Sequence, residues 1–278
     1  MDPRDTTIEG PHGPLGVRVY PADRPSGSAL VWAHGGGFAA GSVDMPEGDA
    51  VARAFAARGV PTVSVDYRLA PVVAGSRWGD EDRAGVHYPV ASEEVGAAFA
   101  WARAHAAEWG ADPGSVALGG ASAGANLAAG AALRLVRAGA ALPAHLVLAY
   151  PTLHAIQPAV PADLTDALAA AGLTEQFSPA VVRAMYENYL GGSAESADEI
   201  AAPGTAGGLA GFPATTIVAS DVDELRVSAA AFAAALEAAG ADVAYCVEPG
   251  TRHGHLNRPD EPGFTPTIDT FVRRLTTS

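Results

Sequence analysis

Short apolar runs recur along the chain, each closed by glycine, proline or a polar turn, and stretches of helical character lie between them. Residues 29–33, 62–65, 116–118, 144–150, 215–219 and 242–247 are such runs. Their near-continuous apolar character predicts strands buried on both faces. Helices are predicted over 49–58, 92–109, 125–136, 225–239 and 266–275. The hydroxyl of Ser92 is placed to cap the second of these. Residues 8–20 alternate weakly and are cut by Pro11, Gly13, Pro14 and Gly16, which suits an entry hairpin at a sheet edge. Strand then alternates with helix from residue 29 onward, so a mostly parallel sheet with helices on both faces is expected. No polar linker divides the pattern, and residues 1–278 read as one domain.

Two segments depart from the alternation. Residues 152–190 carry breaks at Pro158, Pro161 and Pro179 around two short helical stretches, 164–171 and 179–190. Residues 72–86 are irregular, with Arg77, Trp78, Asp80, Glu81, Asp82 and Arg83 close together.

Composition narrows the class. With 278 residues, 49% hydrophobic and 17% charged, the chain is globular and large enough for a substantial core. A net charge of −14 repels phosphate, so neither nucleic acid nor an anionic membrane is an expected partner. The single cysteine, Cys246, excludes an internal disulfide, and its strand is expected to bury it. No basic-then-apolar leader and no membrane-length apolar run is seen, so a cytoplasmic location is expected.

In an open parallel sheet, ligands bind beyond the carboxyl ends of the strands. His34-Gly35-Gly36-Gly37-Phe38 follows the 29–33 strand, and three consecutive glycines let backbone approach something closely. Gly120-Ala121-Ser122-Ala123-Gly124 follows the 116–118 strand and fits Gly-x-Ser-x-Gly, a strand-to-helix turn that exposes a serine. Asp221, Asp223 and Glu224 follow the 215–219 strand, and His253 and His255 follow the last. A hydroxyl, a carboxylate and an imidazole thus share one edge, in the chain order Ser, Asp, His of the α/β-hydrolase arrangement. The spacing alone leaves Asp221, Asp223 and Glu224 open as the acid, and His253 and His255 as the base.

On these residues the chain resembles the hormone-sensitive-lipase-like (family IV) esterases of the α/β-hydrolase superfamily. His34 to Phe38 is similar to that group's HGGGF, Asp66 to Pro71 to its DYRLAP, and Gly120 to Asn126 to its GDSAGGN. The resemblance implies an α/β-hydrolase fold with a reduced helical cap, inserted at about 152–190, and an extra loop at about 72–86. It implies a serine carboxylic-ester hydrolase acting on small or medium acyl esters, in which Ser122, Asp223 and His253 are catalytic and the amides of Gly36, Gly37 and Ala123 form the oxyanion hole. Phe38, Trp78 and His255 are expected to bind substrate. His34 is expected to hold the glycine loop by hydrogen bonds.

No cofactor is needed, and no metal site is expected because His-Gly-His offers too few ligands. The expected partner is a small-molecule ester, with no membrane span, and a homodimer is compatible with the sequence. Three departures from the group stand out: Ala121 where it carries an acid before the serine, Ala125 in place of a glycine, and His255 in place of an aromatic. An amide, formamide, carbamate or lactone would pass through the same tetrahedral intermediate, and a non-catalytic receptor is the remaining alternative.

Overall fold

The structure, a computed structural model, describes residues 2–174 and 176–276. The chain enters through two antiparallel strands, β1 (Arg4–Gly10) and β2 (Gly13–Tyr20). β2 runs antiparallel to β4 (Thr62–Asp66). From there the sheet is parallel through β3 (Ala29–Ala33), β5 (Val116–Ala121), β6 (Leu146–Ala149), β7 (Thr215–Val222) and β8 (Val243–Arg252). The spatial order is β1-β2-β4-β3-β5-β6-β7-β8. The entry hairpin and the parallel sheet therefore agree with the expectation from the sequence.

Period-two alternation explains why the inner strands are apolar throughout. In β3, Ala29, Val31 and Ala33 face one layer of helices, while Leu30 and Trp32 face the other. The first layer contains α2 (Val90–His105), α3 (Ala123–Arg137) and α6 (Arg226–Ala238). The second contains α1 (Asp49–Ala57) and α7 (Phe264–Thr276), with Phe55 stacked on Phe271. α4 (Ala162–Ala170) and α5 (Pro179–Leu190) fall within the segment between β6 and β7.

Two local expectations are corrected. α2 starts at Val90, so Ser92 lies inside the first turn, is buried, and accepts from Arg134 rather than capping the helix. β8 is the last strand of the sheet and its Cys246 is exposed, because an edge strand has one flank with no neighbour to cover it. Among the described residues no helix is long and apolar enough to cross a membrane.

Packing is backbone on backbone where α3 begins beneath β3. A methyl group on Gly124 would lie 2.1 Å from the carbonyl oxygen of Ala33 and 2.3 Å from that of His34. Gly124→Ala should therefore destabilise the protein by about 3 kcal/mol, since neither carbonyl can move without bending its strand. Gly96 lies inside α2, where the nearest atom to an added methyl is Ala131 Cβ at 3.9 Å. Gly96→Ala should instead stabilise by about 0.5–1 kcal/mol through lost backbone freedom in the unfolded chain. Urea denaturation of the two variants tests this pair; equal shifts in midpoint would contradict it.

Candidate active site

Ser122 stands between β5 and α3 with φ 52° and ψ −115°, a backbone conformation that side-chain-bearing residues rarely adopt. Small neighbours allow it. A methyl on Gly120 would lie 2.5 Å from the Gly124 backbone and 2.6 Å from the Ala33 carbonyl. The Ser122 amide donates to Ala149 O at 2.9 Å, and Asn126 N donates back to Ser122 O. The hydroxyl is thereby aimed out of the turn and into a cavity of about 200 Å³.

His253 arrives from the end of β8. Its Nε2 lies 3.0 Å from Ser122 Oγ and its Nδ1 lies 2.7 Å from Asp223 Oδ2. Asp223 Oδ1 accepts from Leu225 N at 2.9 Å, which fixes the carboxylate, and Asp223 is only 2% exposed. With Nδ1–H donated to Asp223, Nε2 is left as the acceptor facing the serine hydroxyl. The imidazole is held between rings, Phe177 at 4.3 Å on one side and Tyr150 at 5.0 Å edge-on.

The other candidate acids are engaged elsewhere. Asp221 accepts from Arg226 and from Gly250 N, and Glu224 accepts from Phe177 N. His255 is buried between Ser220, 3.0 Å from its Nδ1, and Thr267, 2.8 Å from its Nε2. Burial pushes its pKa down to about 3. The expectation that His255 meets substrate is therefore corrected, because both ring nitrogens are spent tying β7 to α7. Phe38 is corrected likewise. It is 1% exposed, stacked on Tyr189 at 4.0 Å and edge-on to Tyr186, so its ring belongs to the core beneath α5. Trp78, by contrast, lines the cavity with Gly36, Gly37 and Ser122.

Above the serine runs the glycine loop. Gly36 has φ 117° and Gly37 φ 59°, so these two positions require glycine or pay strain. Gly36 and Gly37 both line the cavity at Ser122, and Ala123 directly follows the serine as the first residue of α3. His34 anchors the loop from below: its Nδ1 lies 2.7 Å from Gly35 O, and its ring stacks on Tyr67 at 4.4 Å. Burial lowers its pKa to about 4, which keeps it neutral.

One carboxyl group in the cavity was not singled out from the sequence. Glu47, 2% exposed, accepts from Gly35 N at 2.5 Å, from Tyr150 OH at 2.6 Å and from Asn257 Nδ2 at 3.0 Å. Its own amide donates to Asn257 Oδ1. Burial raises its pKa, with the three donors and the charge of His253 opposing. Nothing in the residues around Glu47 signals this, because its partners come from other elements. Tyr150 could have been found by the strand-end rule, since it directly follows β6. Among the described residues no three His, Cys, Asp or Glu side chains gather as a metal site.

Comparison with known proteins agrees with this architecture. Residues 30–257 match a family described as having the alpha/beta hydrolase fold. Esterase LipI of Mycobacterium tuberculosis is 30% identical over 249 residues, covering 86% of this chain and 70% of that protein. The hormone-sensitive lipase of Bos taurus is 34% identical over 145 residues, which is 51% of this chain and 17% of that one. Among solved structures, a thermostable carboxylesterase cloned from a metagenomic library superposes with a TM-score of 0.82 at 28% identity, covering 99% of this chain and 88% of its own. The chain belongs to the alpha/beta hydrolase family, and within it to the hormone-sensitive-lipase-like esterases.

Proposed function

We propose that this protein is a serine carboxylesterase acting on esters with small acyl groups. The observation that carries the reading is the unbroken hydrogen-bond chain from Ser122 Oγ through His253 to Asp223, with the serine opening on a cavity that Gly36 and Gly37 also line. Ser122 attacks the ester carbonyl as His253 Nε2 takes its proton, and Asp223 holds the tautomer and stabilises the imidazolium. The amides of Gly36, Gly37 and Ala123 receive the developing oxyanion, and each such donor is typically worth about 3–4 kcal/mol in the transition state. His253 then returns its proton to the leaving alkoxide, and water releases the acyl group by the same steps reversed.

Trp78 limits the room for substrate. A methyl on Gly37 would fall 2.0 Å from the Trp78 ring, so the indole lies flush against the oxyanion loop. Glu47 acts as a positioning residue. It restrains Gly35, immediately before the oxyanion glycines, and it orients Tyr150, whose ring packs on His253.

Hydrolysis of p-nitrophenyl acetate tests the reading. Ser122→Ala should fold normally and retain less than about a thousandth of the activity. Asp223→Asn should lose about a thousandfold or more through the wrong imidazole tautomer, whereas Asp221→Asn should stay within about twofold. The opposite ranking of the two asparagine variants would move the acid to Asp221. Glu47→Gln keeps the shape but turns an amide N–H₂ toward one of three donors. It should lower stability by about 1–3 kcal/mol and kcat by about tenfold, with a smaller change in KM. Wild-type kcat in a variant of reduced stability would limit Glu47 to a structural role.

A further inference from the structure

The cavity at Ser122 is small, about 200 Å³, below the roughly 300–1,000 Å³ usual for ligand pockets. Beside it lies a second, predominantly apolar cavity of about 370 Å³ between the 72–86 loop and α5, floored by Val181, Ala184 and Met185. Among the described residues Trp78 alone lines both. The geometry points to this second cavity as a latent acyl-chain subsite, closed off from the nucleophile by the Trp78 indole.

The partition is held from both sides. The Arg77 guanidinium stacks over Trp78 at 5.0 Å and over Phe177 at 4.9 Å, and its NH1 donates to Gln176 O at 2.6 Å. The loop is closed at its base by paired hydrogen bonds between Val72 and Arg83, each 2.9 Å. Asn188 of α5 donates to Pro71 O at 2.9 Å, and Arg83 donates to Ala39 O. The indole is therefore bolted to the segment that also covers His253, and it closes one end of the catalytic cavity.

The occupant follows from the proton path. A leaving alkoxide must sit beside His253 Nε2 to be protonated, which puts the alcohol portion toward Gly254, Asn257 and Arg258. The acyl portion then extends the other way, past Gly37 toward Trp78. With the indole in place it meets a wall after a few carbons. With the indole removed, a linear chain of six to eight carbons enters an apolar cleft over Met185.

This inference rests on the esterase reading, and the experiment separates the two. p-Nitrophenyl esters from acetyl to octanoyl are compared for wild type, Trp78→Ala and Trp78→Ala with Ala184→Phe, which refills the cavity; Val181→Phe replaces Ala184→Phe if that variant loses thermal stability. Each methylene buried is worth up to about fourfold, so Trp78→Ala should raise the octanoyl-to-acetyl ratio of kcat/KM at least about tenfold. The refilled variant should return it to the wild-type value. Acetate esters of lengthening alcohols should show no such gain. An unchanged acyl ratio, a gain that survives refilling, or a gain confined to the alcohol series overturns the subsite.

Calorimetric titration with octanoate gives a readout without turnover. Binding by Trp78→Ala that is lost in wild type and in the refilled variant supports the subsite, and equal behaviour of the three overturns it. Absence of turnover of every ester by the wild type would sink the esterase reading, while the calorimetry still decides the cavity.

Discussion

The meeting of α3 with the end of β3 constrains everything around it. Two peptide backbones approach there with no side chain between them, over Gly124 and the carbonyls of Ala33 and His34. That approach sets the turn so tightly that Ser122 is left at positive φ, with its hydroxyl directed away from the helix it precedes. A residue in such a conformation costs about 1–3 kcal/mol and persists only where its surroundings over-determine it. Here β6 and α3 both hydrogen-bond to it, and the side chain of Asn126 one turn along α3 extends the support. Its amide donates to Tyr186 of α5 and to Ala201 O.

Buried carboxyl groups are arranged around that turn with a division of labour. Asp223 meets His253 directly, while Glu47 touches neither the serine nor the imidazole yet has a partner in each supporting segment: the glycine loop, Tyr150 and the Asn257 turn. A carboxyl group buried without donors would be prohibitively costly, so its three donors are a condition of its being there. The elbow itself has Ala121 in the position where the resembling group carries an acid. A carboxyl group near Ser122 comes instead from the segment leading into α1, as Glu47.

The wall of the cavity at Ser122 is set by packing of a different kind. Arg77 and Phe177 come from two segments that the sheet does not position, and they meet only because the 72–86 loop folds down on the region before α5. Rings and a stacked guanidinium there cover an imidazole and wall off an apolar cleft. Such a contact is local, and it can be altered without disturbing the elbow.

Much of this was legible in the sequence, for identifiable reasons. The strands of a parallel sheet are buried on both faces, so β3, β5 and β6 announce themselves as apolar runs, and the residues after each strand must lie on one edge. His34, Ser122, Asp223 and His253 were placed on that edge by chain order alone, and the glycines of the two turns declared close backbone approach. What the sequence could not decide were contacts between segments distant in the chain. Asp223, Asp221 and Glu224 are equivalent by position, and only the direction of β7 at its end gives the first to His253. Phe38 and His255 flank motif residues, yet the turns on which they sit rotate both into the core. Glu47 carries no local signal, since its three donors come from residues 35, 150 and 257. Periodicity reports which way a residue faces within its own element; which partner it finds there is fixed only when the elements pack.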